Sequence, residues 1–99
     1  KECQTEVFPL ANIHEHQLLF MQEFEKQKGV AFLLLYFAEK NIFYYLRLRE
    51  LETFWRRREE GGRKSFRMDE LDRSFFLEGE QGVLVPYLEG LQKDLLTRD

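Results

Sequence analysis

Gln17 is the residue whose type fits its neighbourhood least. Its neighbours at helical spacing, Ile13, Phe20, Met21 and Phe24, are all apolar, so a polar amide shares the face of an apolar stripe. A buried amide without partners costs about 1–3 kcal/mol. Two readings stand side by side. Gln17 is a core glutamine satisfied by backbone groups, or its oxygen touches a metal ion or the water on one, since hard cations take oxygen ligands. His14 and His16 have the types of a metal pair, but residues two apart on a helix point to different sides. With Cys3 they would still leave a zinc site without a fourth ligand. Cys3 lies between Glu2 and Glu6, an acidic setting that opposes the thiolate a nucleophile needs. Ser65 and Ser74 have no evident histidine partner, and Gly61-Gly62 lacks the spacing of a phosphate-binding Walker loop.

The other chemistry-bearing feature is a block of arginines. The chain of 99 residues has a formal net charge of −3, but the average hides three segments. Residues 1–46 carry −2, residues 47–67 carry +4, and residues 68–99 carry −5. The middle block holds Arg47, Arg49, Arg56, Arg57, Arg58, Arg63, Lys64 and Arg67. Arginine's planar fork suits phosphate, which accepts two parallel hydrogen bonds. The plainer reading is a solvated helix face with glutamates at i,i+4 spacing, Glu52 before Arg56 being the example.

These groups need elements to position them. Phe8-Pro9-Leu10 interrupts any regular element, because proline has no donor and restricts its predecessor. Asn12 as N-cap with Glu15 three residues later predicts a helix from about Ile13 to Lys28, stopped by Gly29. The continuous apolar run Val30 to Phe37 predicts a strand buried on both faces. A turn at Glu39-Lys40-Asn41 and an aromatic strand from Ile42 to Leu46 complete a hairpin. A second helix spans about Arg49 to Arg58 and ends at Gly61-Gly62, with Phe54 and Trp55 in the core or an interface. Arg63 to Arg67 is a basic loop or short strand. Met68 to Arg73 is a helical turn, and Phe75 to Leu77 a short strand. Pro86 marks the start of a last helix that turns Tyr87, Leu88, Leu91 and Leu95 inward. The expected class is α/β, a mixed sheet with flanking helices.

Composition bounds the rest. With 43% hydrophobic and 15% aromatic residues, the chain is not intrinsically disordered. Its longest apolar run, Val30 to Ala38, is far short of the ~20 residues a membrane span needs. A lone cysteine excludes an internal disulfide and suits a reducing compartment. No signal peptide is visible. The length fits one small domain, and the first residue, Lys1, suggests a chain processed or cut from something longer.

Two stretches go beyond generic pattern: Phe8-Pro9-Leu10-Ala11-Asn12-Ile13-His14-Glu15-His16-Gln17, and Gly62-Arg63-Lys64-Ser65-Phe66-Arg67-Met68-Asp69-Glu70-Leu71. Together they resemble the RecU family of bacterial Holliday junction resolvases. That family's pattern is F-P-L-x-N-[IF]-H-x-H-Q, then G-R-K-S-I followed by a basic residue and E-L. The match runs from Phe8 to Leu71 and thins after Ser74. The resemblance implies a nuclease core like that of type II restriction enzymes. It implies a homodimer, magnesium or manganese, and symmetric cutting of two strands of a four-way DNA junction in the cytoplasm.

By the same resemblance Gln17 is the metal-linked glutamine, which favours the second of its two readings. Lys1 is the lysine that steadies transition-state charge or polarises the attacking water, although its spacing to Phe8 is one residue shorter than the family's. Arg63, Lys64 and Arg67 form a DNA-binding loop. The family's upstream threonine, aspartate and glutamate have no counterpart in these residues. On this reading, residues 1–99 are a single domain, the C-terminal portion of a nuclease domain whose N-terminal strands lie upstream. Two other readings compete: a non-catalytic nucleic-acid-binding module with the same fold, and a protein-interaction domain whose arginines are only surface.

Overall fold

The structure is a computed structural model that describes residues 2–3, 5–78 and 84–97, with side chains described for 5–77 and 90–96. Strand β1 (Glu2–Cys3) and strand β2 (Val7–Pro9) precede helix α1 (Glu15–Lys26). Strands β3 (Phe32–Phe37) and β4 (Ile42–Arg47) lead into helix α2 (Leu48–Glu59). Strands β5 (Ser65–Arg67) and β6 (Phe76–Glu78) and helix α3 (Leu84–Thr97) complete the fold. One sheet has the order β1-β3-β4-β6, with β1 parallel to β3 and the other pairs antiparallel; β2 and β5 form a second, antiparallel pair. This is the expected mixed sheet with flanking helices, and it agrees with a nuclease core.

The first helix starts later than its capping signals suggest. Leu10–Asn12 forms its own 3-10 turn and Ile13 is extended and buried, so the helix cannot begin until Ile13 has entered the core. The N-cap is His14 rather than Asn12, and the reciprocal side chain is Gln17 rather than Glu15. Its far end is closed by a Schellman pair: Gly29 N–H donates to the Phe24 carbonyl at 3.0 Å and Lys28 N–H to that of Glu25 at 3.0 Å. The left-handed residue of that motif is Lys28, with φ 69°. Gly29 contributes differently: a Cβ there would lie 2.4 Å from the half-exposed Phe24 ring and would have to push it aside. Ala31 N–H donates to the Glu25 carboxylate at 2.9 Å, and the strand therefore opens at Phe32, not Val30.

The hairpin pairs Phe32 with Arg47 through Phe37 with Ile42. Its turn closes on Asn41, left-handed at φ 49°, a conformation asparagine tolerates better than most residues. The expectation of burial on both faces does not hold along the whole strand. Leu35 and Phe37 are buried, but Phe32, Leu33, Leu34 and Tyr36 are half-buried. Tyr44, Tyr45, Leu46, Phe75 and Leu77 join them in one continuous core with Phe54, Trp55 and Phe66.

The last helix packs differently from its apolar pattern. Gly90 lies so close to Tyr45 that a Cβ would sit 2.4 Å from the ring. One turn on, buried Asp94 accepts a hydrogen bond from the Tyr45 hydroxyl at 2.8 Å. Leu91 packs against the core, whereas Leu95, expected inward, is 52% exposed. The contact stripe runs through a glycine and a carboxylate, which hydrophobicity alone does not mark. The side chains of Tyr87 and Leu88 lie outside the described residues.

Candidate nucleic-acid interface

The two sequence stretches of highest information meet in space. Strand β2 comes from the first and β5 from the second, with Val7 opposite Arg67, Phe8 opposite Phe66 and Pro9 opposite Ser65. The pairing is extended at both ends, since Leu10 N–H donates to the Lys64 carbonyl at 3.0 Å and Met68 N–H to that of Glu6 at 2.8 Å. Proline is tolerated here because these are edge strands. The period of two in Ser65-Phe66-Arg67 turns Phe66 into the core and Arg67 out. Phe66 stacks between Phe8, 5.2 Å away, and Phe54, 4.5 Å away, centroid to centroid.

The basic loop leaves α2 through a second Schellman pair, Gly62 N–H to the Arg57 carbonyl at 2.8 Å and Gly61 N–H to that of Arg58 at 3.1 Å. Gly61 has φ 86°, and a Cβ on Gly62 would lie 2.8 Å from the Arg57 carbonyl oxygen. Both glycines are therefore structural. Residues 61–64 are exposed, but two of the three expected DNA-binding cations already hold carboxylates. Arg63 Nη1 lies 2.9 Å from Glu70 and Arg67 Nη2 lies 3.5 Å from Asp69. Lys64 has no carboxylate within ion-pairing distance among the described residues. Arg57 braces the loop from below: its Nη2 donates to the Ser65 carbonyl at 2.7 Å and to Glu70 at 3.1 Å. Its buried Nε has no partner among the described residues.

The remaining arginines divide by role. Arg47 is buried, pairs with Glu50 at 3.1 Å and Asp72 at 3.4 Å, and stacks its guanidinium 4.0 Å from the Phe75 ring centre. Arg58 covers Trp55 at 4.1 Å. Glu52 does not serve Arg56 as its spacing suggests; it accepts a hydrogen bond from Gln22 Nε2 at 2.9 Å and ties α2 to α1. The +4 block is thus partly spent inside the fold. Beside Arg47, the Tyr44 hydroxyl donates to Glu50 at 2.6 Å. Burial first, then that hydrogen bond and the Glu50 charge, push its pKa far up. Asp72 accepts from the hydroxyl and the N–H of Ser74. Those bonds, helped by Arg47, hold its carboxyl below the usual range.

Gln17 stands at the third position of α1. Its Oε1 accepts a hydrogen bond from His14 N–H at 2.9 Å, and its own N–H donates to the His14 carbonyl at 2.9 Å. The side chain is half-buried and lines an open groove of about 510 Å³ with His16, Phe20, Met21, Phe24 and residues 30–33. A carbonyl oxygen has two lone pairs, so the cap uses one and leaves the other. The rings of His14 and His16 stack at 5.4 Å. The helical rule that separates residues two apart does not apply to them, because His14 is an extended cap. Among the described residues no group of three or more His, Cys, Asp or Glu converges as a metal cage. Lys1 lies outside the described residues. Sequence reasoning missed the roles of Arg57 and Glu70; Glu70 stood inside the second stretch, but its arginine partners are visible only in space.

The profile of the family described as RecU, Recombination protein U, matches residues 1–93. The chain is 37% identical over 87 residues to the Holliday junction resolvase RecU of Pediococcus pentosaceus, covering 87% of the chain and 43% of that protein. It is 40% identical over 95 residues to the protein of the same name in Lactococcus lactis subsp. lactis, covering 94% and 44%. A third, from Oceanobacillus iheyensis, is 45% identical over 62 residues, covering 63% and 32%. The chain spans less than half the length of these relatives.

Proposed function

The chain belongs to the RecU family, and from that premise we propose that it forms the C-terminal portion of a structure-selective endonuclease. The enzyme resolves four-way DNA junctions by metal-dependent phosphodiester hydrolysis. The observation that carries this reading is the β2–β5 pair, which joins the amide-bearing start of α1 and the arginine–lysine loop on one small scaffold. Residues 1–99 form one unit completed by upstream strands, and the enzyme works as a homodimer in the cytoplasm.

The loop of Arg63 and Lys64, with Arg67 on β5, holds backbone phosphates. Such contacts fix position without reading sequence, which suits recognition of a branched shape. Gln17 offers one neutral oxygen to Mg²⁺ or Mn²⁺, through the lone pair that the cap leaves open. When bound, a divalent ion activates water and steadies the leaving oxygen. Lys1 belongs to the same reaction, polarising the attacking water or steadying developing charge.

The test uses the full natural chain that contains this sequence, a four-way junction and magnesium. Symmetric cleavage is expected. Replacing Arg63 and Lys64 together by alanine should weaken junction binding and flatten its salt dependence by about 0.9 log units for each phosphate that the loop no longer neutralises. Binding without any cleavage would assign the chain to a non-catalytic module of the same fold. Unchanged binding in the double variant would remove the loop from the interface.

A further inference from the structure

Glu70 sits between two guanidiniums, and each of its oxygens is committed to one of them. Oε2 lies 3.1 Å from Arg57 Nη2, and Oε1 lies 2.9 Å from Arg63 Nη1. The carboxylate stands on the 3-10 turn Met68–Glu70 that follows β5, so it is fixed by the same strand pair that carries the loop. A carboxylate and a phosphate present the same feature to an arginine, two oxygens matched to its fork. We propose that Glu70 is an intramolecular competitor of DNA phosphate, holding Arg63 in reserve and setting how tightly the loop grips a duplex. The proposal rests on the reading that this loop contacts DNA.

The two arginines are not equivalent, and the asymmetry identifies the one that can be released. Arg57 is anchored. It is bound to the Ser65 carbonyl at 2.7 Å, its guanidinium lies 5.2 Å from the Phe54 ring centre, and its Nε is buried. Arg63 is half-exposed, with its side chain 51% accessible, and a single bond to Glu70 ties its guanidinium to the described residues. A phosphate arriving at the loop can offer Arg63 two bonds in place of one. The exchange leaves Glu70 neutralised by Arg57, so no carboxylate is left uncompensated. The triad carries one net positive charge with Arg63 bound, and that same charge becomes available to DNA when Arg63 turns out.

The experiment measures binding of the full natural chain to a linear duplex and to a four-way junction across a salt series. Glu70→Gln keeps shape and one acceptor oxygen but removes the competing charge. It should tighten duplex binding roughly three- to tenfold at moderate salt and steepen the salt dependence by up to about 0.9 log units, the increment for one more neutralised phosphate. In an Arg63→Gln background the same change should give no gain, because there is no arginine left to release. Glu70→Asp, which keeps the charge, should bind like the parent. If Glu70→Gln leaves duplex binding unchanged or weakens it, or tightens it equally without Arg63, Glu70 is a structural brace and the proposal fails. If Arg63 and Lys64 can both be replaced with no loss of binding, the loop itself is not the interface. That outcome is separate and strikes the reading beneath. Should Glu70→Gln not fold, Glu70→Ser removes the same charge with a smaller side chain, and the same gain is expected with Arg63 present and none in the Arg63→Gln background.

Discussion

Gln17 caps α1 and is proposed to offer an oxygen to a metal ion; a single substitution confounds the two, and the geometry shows how to separate them. Its Oε1 closes the start of α1 through His14 N–H, and that bond contributes on the order of 1 kcal/mol. Gln17→Ala should therefore lower thermal stability by about that amount and also raise the metal concentration that cleavage requires. Gln17→Glu can still accept from the cap, as glutamate does in capping boxes, so its stability should stay near the parent's while its metal response changes. Equal metal titrations for Gln17→Ala and the parent would leave the residue as a cap alone. The oddity of Gln17 was legible in the sequence because its neighbours are apolar. Its partner was not. Asn12 and Glu15 carry the stronger cap signature, but Ile13 enters the core and moves the helix start past Asn12, leaving Glu15 as the first helical residue. Local propensity lost to burial of one isoleucine.

At the scale of elements, the strand pair β2–β5 transmits core packing to the loop. Phe66 stacks on both Phe8 and Phe54 and is fully buried. Truncating it to alanine should cost about 3–5 kcal/mol, seen as a lower denaturation midpoint. It should weaken junction binding beyond the loss attributable to unfolding, because Ser65 and Arg67 flank it. A variant that loses stability but binds with parental affinity in its folded fraction would uncouple the strand from the loop. The continuous apolar run of β3, the aromatic run of β4 and the glycine stops after α1 and α2 made those elements readable within a few residues. The final helix begins at Leu84, two residues before the Pro86 start expected, and its inward stripe was read at Leu91 but not elsewhere. That stripe consists of Gly90 against a tyrosine ring and Asp94 under its hydroxyl, packing that is specific to shape and hydrogen bonding.

For the whole molecule, net charge says little, because ion pairing and burial decide which charges face outward. Arg47 is enclosed by Glu50, Asp72 and Phe75, and its neighbourhood holds two groups, Tyr44 and Asp72, whose pKa values the fold shifts in opposite directions. Asp72 has a folded pKa below its unfolded one, so its contribution is present above about pH 4 and lost as pH falls through the lowered value. Tyr44 has a folded pKa above its unfolded one, so its contribution is present below about pH 10 and lost as pH rises further. Stability against pH should therefore fall at both ends. Asp72→Asn should flatten the acid limb and Tyr44→Phe the alkaline limb, read from urea midpoints across the pH range. A parental alkaline limb in Tyr44→Phe would show that another group governs it.

The pairing of β2 with β5 also has a meaning in time. As the chain is synthesised, Phe8 and Leu10 emerge long before Phe66 and Lys64, the residues they pair with in the fold. Closing a loop that long costs little more than closing a shorter one, but it delays the meeting of its ends. The basic surface and the strand that steadies it are thus completed late. An unfinished chain presents arginines without their scaffold, so the proposed contact with DNA phosphates would mature together with the fold.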